Sequence, residues 1–533
     1  MTPRRAELLF CGGLVAALVL LQTAGLTRPF LRQHESNGTG FGKCARNHVK
    51  FGLRNTYGLL LDVSGPRLDA YSDYREHFYS NHPPMVGLLL AGVFAIFGVS
   101  EAVYRSTFIA LSVLALLLFR RLAARLVPAP WDRAATAFFA FFPMFVYYSI
   151  VTGLQVIALI GVLSTLLFYL RWREEGRRSD YAGIAGSIAL ACYSSWEGYY
   201  AAPALVVAHF WSRRPGKGPV LALLGVNLAV FGIYLLHLRA ADPVRLAPLK
   251  SLFEAGVSRT LLEGLSIPRY VAGEARELAL MFTVPAILLA GVWVVSILRG
   301  PRTENDGLIA GLSLLGLHEV VFPKLASQHE YYSYGLVVFM GLAASRGLSI
   351  VAGALEGGSR LAVRTVLTAT AVGFAAQGGW TLDRRLTREG GYEFYHRLAL
   401  AMGEAAAPED RLLILTDNIP FYTPFYADLY SQWYDAPHRE LLRENTGGRQ
   451  KGVTEEDLER LLRENPGRLD WAVSAEKATV VPQVPWLRTL DEGQLESFGV
   501  ETHRTARRDL LERLCGPPRI HRGFLFWSLP GRR

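Results

Sequence analysis

The sequence predicts a mainly α-helical, polytopic membrane protein with a small α/β domain at its C-terminus. Three observations carry that expectation. The chain is 51% hydrophobic and only 19% charged over 533 residues, against about 25% charge in an ordinary soluble domain. Its apolar residues gather in repeated runs of roughly 17–21 residues, the length that crosses a bilayer as a helix. Lys and Arg gather in the short connections between those runs, as in cytoplasmic loops. The formal net charge of +10 is therefore a topology signal and predicts no nucleic-acid partner.

Helices satisfy their own backbone polar groups in lipid, so each long apolar run reads as a helix. The first run, 8–26, follows Arg4 and Arg5 and has no clear small-residue cleavage site, so it reads as a retained first helix. Placing the basic clusters at 4–5, 120–125, 171–178, 213–217, 299–302 and 346–364 inside fixes the threading. Residues 8–26 go out and 102–120 return. The pairs 133–149 and 153–170, 181–196 and 199–212, 218–238 and 278–298, and 306–322 and 331–345 follow the same pattern, and 364–380 goes out last. The count is about eleven crossings.

One apolar segment, 85–99, is left over. It is short for a crossing, and spanning would carry Arg120, Arg121 and Arg125 outside. It reads as an interfacial helix started by Pro83 and Pro84, with an ordinary twelfth crossing as the alternative. Residues 239–276 form a polar outer loop with one amphipathic helical stretch. In the tail, "RLLILTD" (411–417), "LDWAVSA" (469–475) and "FLFWSLP" (524–530) read as strands, and "TEEDLERLLREN" (454–465) as a helix capped by Thr454. The expected division is a membrane module at 1–380 and an extracytoplasmic α/β domain at 381–533. The first outer region is 27–101 and the second large outer loop 239–276.

This threading gathers the unusual polar stretches on one side: "RQHESNGTG", "CARNHVKFG" and "YSNHPP" in the first outer region, "YYSIVTGLQ" near 147–155, "SSWEGYY" around Glu197, and "FPKLASQHEYYSYG". Ionisable groups at a membrane interface are costly unless paired or used, so the clusters predict a site on the outer face. A secondary transporter would carry charges in mid-helix and show internal repeats; this chain places them at helix ends and shows no repeat. Cys11, Cys44, Cys192 and Cys515 have no paired spacing that implies zinc or a disulfide framework.

The ordered motifs "ESNG" (35–38), "ARNHVKFG" (45–52), "HPPM" followed by "FGVSEAVYRS" (97–106), "FPMFVYYS" (142–149) and "QHEYYSY" (328–334) resemble the GT-C superfamily of membrane glycosyltransferases. The similarity is to the bacterial branch of family 39, related to protein O-mannosyltransferases and lipid A aminoarabinose transferases, and it covers roughly residues 5–380. The resemblance implies a GT-C-like bundle with outer interfacial helices, probing the outer face of a bacterial inner membrane. It implies inverting transfer of a sugar from a polyprenyl-phosphate carrier to a glycan, lipid or protein acceptor.

In that reaction the acceptor hydroxyl needs a carboxylate base, for which Glu35 is the candidate, with Asn37 beside it. The leaving phosphate needs cationic donors; Lys43, Arg46, His82, Lys324 and His329 are available, with Gln328 and Tyr331 beside them. Lys324 also fits simple snorkelling to lipid phosphates, and Tyr331 and Tyr332 an interfacial aromatic belt. Two departures from the family stand out. Glu35 occupies a position usually held by Asp. Gln155 stands where a second acid is common; an amide binds a sugar hydroxyl but is no base at neutral pH, and Glu197 can supply the second carboxylate. A non-catalytic homologue or a lipid-linked sugar flippase is the alternative these departures leave. The first outer region has no Asp-x-Asp pair, so no divalent ion and no cofactor beyond the lipid-linked donor are expected.

Overall fold

The computed structural model describes residues 2–388 apart from 71–72, 212–216, 261–265, 301–302, 328 and 357–359, together with 393–407, 411–414, 425–427, 430–431, 471–475, 513, 517–521 and 524–528. In chain order the helices are α1 (Pro3–Thr23), α2 (Ser36–Phe51), α3 (Leu53–Thr56), α4 (Met85–Phe97), α5 (Glu101–Leu126), α6 (Trp131–Phe141), α7 (Pro143–Val151) and α8 (Leu154–Glu175). There follow α9 (Arg178–Ser194), α10 (Ala201–Trp211), α11 (Lys217–Ala241), α12 (Ala247–Thr260), α13 (Ile267–Phe282), α14 (Val284–Arg299) and α15 (Glu304–Gly311). The last are α16 (Leu317–Val321), α17 (Pro323–Ala326), α18 (Leu336–Glu356), α19 (Arg360–Thr387) and α20 (Glu393–Ala405).

The protein is an integral membrane protein. Among the described residues five helices are long and apolar enough to cross a bilayer, and the number rises to seven if each bent helix pair is one span. The other expected crossings fall on α9, α10, the broken stretch α15–α16 and α19, which are shorter, interrupted or more charged. Proline explains both bends. Pro143 opens α7 after a 46° bend from α6, and Pro285 sits in the first turn of α14 after a 103° bend from α13. The second bend corrects the expected crossing 278–298: α14 begins only at Val284, after Thr283 at φ 65°. Among the described residues the loop at 239–276 accordingly holds α12 and the start of α13, where one helical stretch was expected.

At 13 residues, α4 reaches about 20 Å, short of the ~30 Å hydrocarbon layer. Val86, Leu90, Ala91 and Phe94 are buried along one side, while Ile96 and Phe97 are exposed near its end. The glycine-rich stretch 36–51, with no helix expected from its sequence, forms α2.

The chain resolves into two compact units. One comprises Met1–Arg28, Gly58–Leu60 and Tyr79–Arg388; the other comprises Pro29–Tyr57, Leu61–Phe78 and Glu389–Arg533. α19 continues through Thr387, past the expected boundary at 380, and most of residues 27–101 groups with the tail.

The first unit is the helical bundle. Its core includes a stack of Phe119 on Phe139 at 4.0 Å, with Phe145 next to it at 4.3 Å. The basic loops are tied down at one end of the bundle. Arg120 bridges Glu7 (2.7 Å) and Asp132 (2.8 Å), joining α1, α5 and α6. Arg346 reaches Asp306 at 3.2 Å, where the Trp293 indole and the Thr303 hydroxyl also donate. Arg171 pairs with Asp180 at 3.0 Å.

The second unit holds α2, α3, α20 and a mixed sheet of order β2-β1-β3-β5-β4, formed by Tyr430–Ser431, Arg411–Ile414, Trp471–Ala475, Phe524–Ser528 and Arg519–His521. β1 runs parallel to both β2 and β3, whereas β5 is antiparallel to β3 and β4. All three expected strands are present; β2 and β4, at two and three residues, are additions. The expected helix at 454–465 lies outside the described residues.

Candidate active site

In the helical unit, the end opposite the ion-paired loops collects polar side chains. α8 starts after Gly153, which lies at φ 71° with the Phe108 ring 2.4 Å from any added Cβ, so no larger residue fits that turn. The turn sets Gln155, buried, in the first turn of α8. Glu197 lies in the 3-10 turn Trp196–Tyr200 that joins α9 to α10. The Ser195 hydroxyl donates to its carboxylate and the Gln155 amide lies alongside. Burial pushes the Glu197 carboxyl up to about 7, opposed by its own backbone N–H and by Gln155.

From Glu197 the polar and aromatic contacts continue. Tyr200 meets His318 at 6.1 Å, and His318 stacks on Tyr332 at 4.6 Å. Tyr332 adjoins Tyr331 (4.9 Å), which stacks with His329 (5.1 Å). Ser333 donates to the Glu319 carboxylate, and the Tyr270 hydroxyl donates to the Glu319 carbonyl at 2.9 Å. Glu330 accepts from Tyr148 (2.6 Å) and pairs with Arg385 (2.8 Å), whose other arm reaches Glu277 at 3.0 Å. Carboxylates, an amide, hydroxyls and aromatic faces in one connected set are the groups that bind a polyhydroxylated ligand.

The "SNHPP" turn belongs to the same unit. Tyr234 donates to the carbonyls of Ser80 (2.8 Å) and His82 (3.1 Å), and the Trp196 indole donates to that of Asn81 at 2.6 Å. The His82 ring is buried 5.8 Å from Tyr79. Arg105, the arginine that follows "FG", is buried and donates to the carbonyls of Gly25, Leu26 and Arg28, holding the turn that follows α1.

The second unit holds Glu35. His34 takes φ 61°, and Glu35 then stands at the N-cap of α2, with the Arg32 N–H donating to its carboxylate at 2.8 Å. The Glu35 side chain is buried, and Asn37 is half-buried in the first turn of α2. Two of the phosphate candidates have partners within this unit. Lys43 is wholly buried and ion-paired with Asp62, because a buried ammonium needs a counter-charge. Arg46 donates to the carbonyl of Phe425 at 2.9 Å. His48 bonds Thr56 at 2.7 Å, and burial pushes its imidazole down to about 4.

The structure therefore brings Gln155, Glu197, His329 and Tyr331 into one connected set. His82 joins it through Tyr234, which bonds its carbonyl and lies 5.9 Å from the Trp196 ring, while Lys324 is exposed on α17 and Gln328 lies outside the described residues. Glu35, Asn37, Lys43 and Arg46 belong to the other unit. Sequence reasoning missed Glu319, Glu330, His318, Tyr148 and Arg385. The pair His318–Glu319 was readable as two ionisable residues inside an apolar run. Among the described residues no three His, Cys, Asp or Glu side chains gather as a metal site.

Residues 81–237 match the family model described as dolichyl-phosphate-mannose-protein mannosyltransferase. Among solved structures, the chain is similar to ArnT from Cupriavidus metallidurans in the apo state, with a TM-score of 0.63 and 13% identity over 99% of this chain and 100% of that one. The same protein bound to undecaprenyl phosphate gives 0.58 and 16% identity over 89% and 94%. The archaeal oligosaccharyltransferase AglB from Archaeoglobus fulgidus, in complex with an inhibitory peptide and a dolichol-phosphate, gives 0.57 and 13% over 87% and 69%. No curated protein matches by sequence. At these identities the likeness is one of fold: the chain shares the overall fold of these membrane proteins.

Proposed function

We propose that the protein is a lipid-linked-sugar glycosyltransferase, moving a sugar from a polyprenyl-phosphate carrier to an acceptor on the outer face of a bacterial inner membrane, with inversion. The division of labour follows the chemistry. The acceptor O–H gives its proton to Glu35 as its oxygen bonds the anomeric carbon, and the carbon–phosphate oxygen bond breaks with its electron pair leaving on the phosphate. Glu197 and Gln155 bind sugar hydroxyls, and Lys324 and His329 serve the phosphate. The observation that carries the reading is the buried set around Glu197, Glu319 and Glu330, where carboxylates lie among an amide, tyrosines and histidines at one end of a membrane bundle. Buried acids in such a place are costly unless they have a task. The similar proteins solved with undecaprenyl phosphate and dolichol-phosphate support the donor class.

The test uses the full chain in detergent with a radiolabelled polyprenyl-phosphate-linked sugar and a membrane lipid extract as acceptor. Release of polyprenyl phosphate is the readout. Glu35→Gln is expected to lower turnover by roughly 10²–10⁴-fold while the protein still inserts and purifies. Wild-type turnover in that variant would end the assignment of the base; no turnover in the wild type with any carrier-linked sugar would favour the non-catalytic alternative.

A further inference from the structure

The second unit contains a wedge. Gly38 and Gly42 are four residues apart and so share one face of α2. A Cβ at Gly38 would lie 2.6 Å from the Phe30 ring, and one at Gly42 would lie 2.9 Å from the Phe425 ring, so each aromatic ring fills a notch that only glycine leaves open. The two rings meet edge to face at 5.7 Å. The Phe30 N–H donates to the Tyr426 hydroxyl at 2.9 Å, and Arg46, one turn beyond Gly42, donates to the Phe425 carbonyl at 2.9 Å. On its other side the wedge rests on α20: the Tyr426 ring meets His396 at 4.5 Å, and Ala427 lies against Gly403. The stripe Glu35, Gly38, Gly42, Arg46 follows the i, i+3, i+7, i+11 spacing of one helix face, so what fixes the notches also fixes Glu35.

We propose that Phe425 and Tyr426 are positioning residues for the candidate base. They set the rotation and height of α2, and Arg46 serves this seat through the Phe425 carbonyl. The inference rests on Glu35 being the base. A helix that slips by one residue turns its N-cap by about 100°, and far smaller misplacements cost rate.

The experiment measures kcat and KM for the carrier-linked sugar with the full-length protein in detergent. Phe425→Ala is expected to lower kcat by about 10- to 100-fold with donor KM unchanged, and Phe425→Leu, which refills the notch, to recover most of the loss. Gly42→Ala displaces the ring without emptying the notch and serves as the second probe if Phe425→Ala is not recovered folded; it is expected to lower kcat in the same way. Wild-type kcat in the recovered probe, a loss confined to KM, or failure of Phe425→Leu to recover kcat would overturn the proposal. The two readings separate cleanly: an inactive Glu35→Gln beside a fully active Phe425→Ala removes the wedge and leaves the base, whereas a fully active Glu35→Gln removes both.

Discussion

The two ends of the helical bundle treat charge in opposite ways. At the basic end each buried acid has a cation: Asp132 has Arg120, Asp306 has Arg346, and Asp180 has Arg171. At the other end Glu197 has a serine and an amide, Glu319 has a serine, and Arg385 is shared between Glu330 and Glu277. An ion pair in such a place fastens helices together. A carboxylate held only by neutral partners is poorly solvated, takes up a proton readily and is available to a ligand. The first arrangement belongs to the architecture, the second to a site.

The largest effect that tests this contrast is at Glu197. Glu197→Gln should lower turnover by about 10- to 100-fold, the loss of a hydrogen bond to a charged group, and yet raise stability at alkaline pH. The sign follows from linkage. Its folded pKa lies at about 7, above the ordinary 4.5, so the unfolded chain ionises first. The stability held by the protonated form is complete below about pH 4.5 and is lost as pH rises toward 7, on the order of 3 kcal/mol in all. Melting curves of wild type and Glu197→Gln across pH 4–8 should converge at the acid end and separate at the other. Parallel curves would mean that Glu197 carries a counter-charge after all.

The intermediate effect is at the basic end. Asp306→Asn leaves the Arg346 guanidinium without its carboxylate and should cost about 2 kcal/mol of stability, read as a lower melting temperature, with activity per folded molecule unchanged. A loss of specific activity instead would break the division between the two ends. The smallest effect is at exposed Lys324: Lys324→Ala should weaken carrier affinity about threefold, without changing acceptor affinity. Unchanged donor affinity would move the phosphate contact off α17.

The membrane pattern was legible because length, hydropathy and loop charge are local properties. The expected crossings fall on helical stretches, with breaks at Phe142, at Thr283 and within 311–317 that the sequence reading did not place. What escaped was decided by distant partners. α2 contains Gly38, Gly40 and Gly42, poor helix formers; the small size of Gly38 and Gly42 becomes useful only once Phe30 and Phe425 lie over them. The sequence likewise does not show that Asp62 and the Phe425 carbonyl face Lys43 and Arg46. Glu197 was linked to Gln155 by chemistry alone, as a substitute for a missing acid, and the fold places the two side by side.

The turn at Ser80–His82 has one more consequence. Tyr234 and Trp196 grip it entirely through main-chain carbonyls. Those contacts survive whatever side chains the three positions carry. Its geometry is thus insulated from its chemistry, and residues 80–82 form a stretch where new ligand preferences can be grafted by exchanging side chains on a fixed frame.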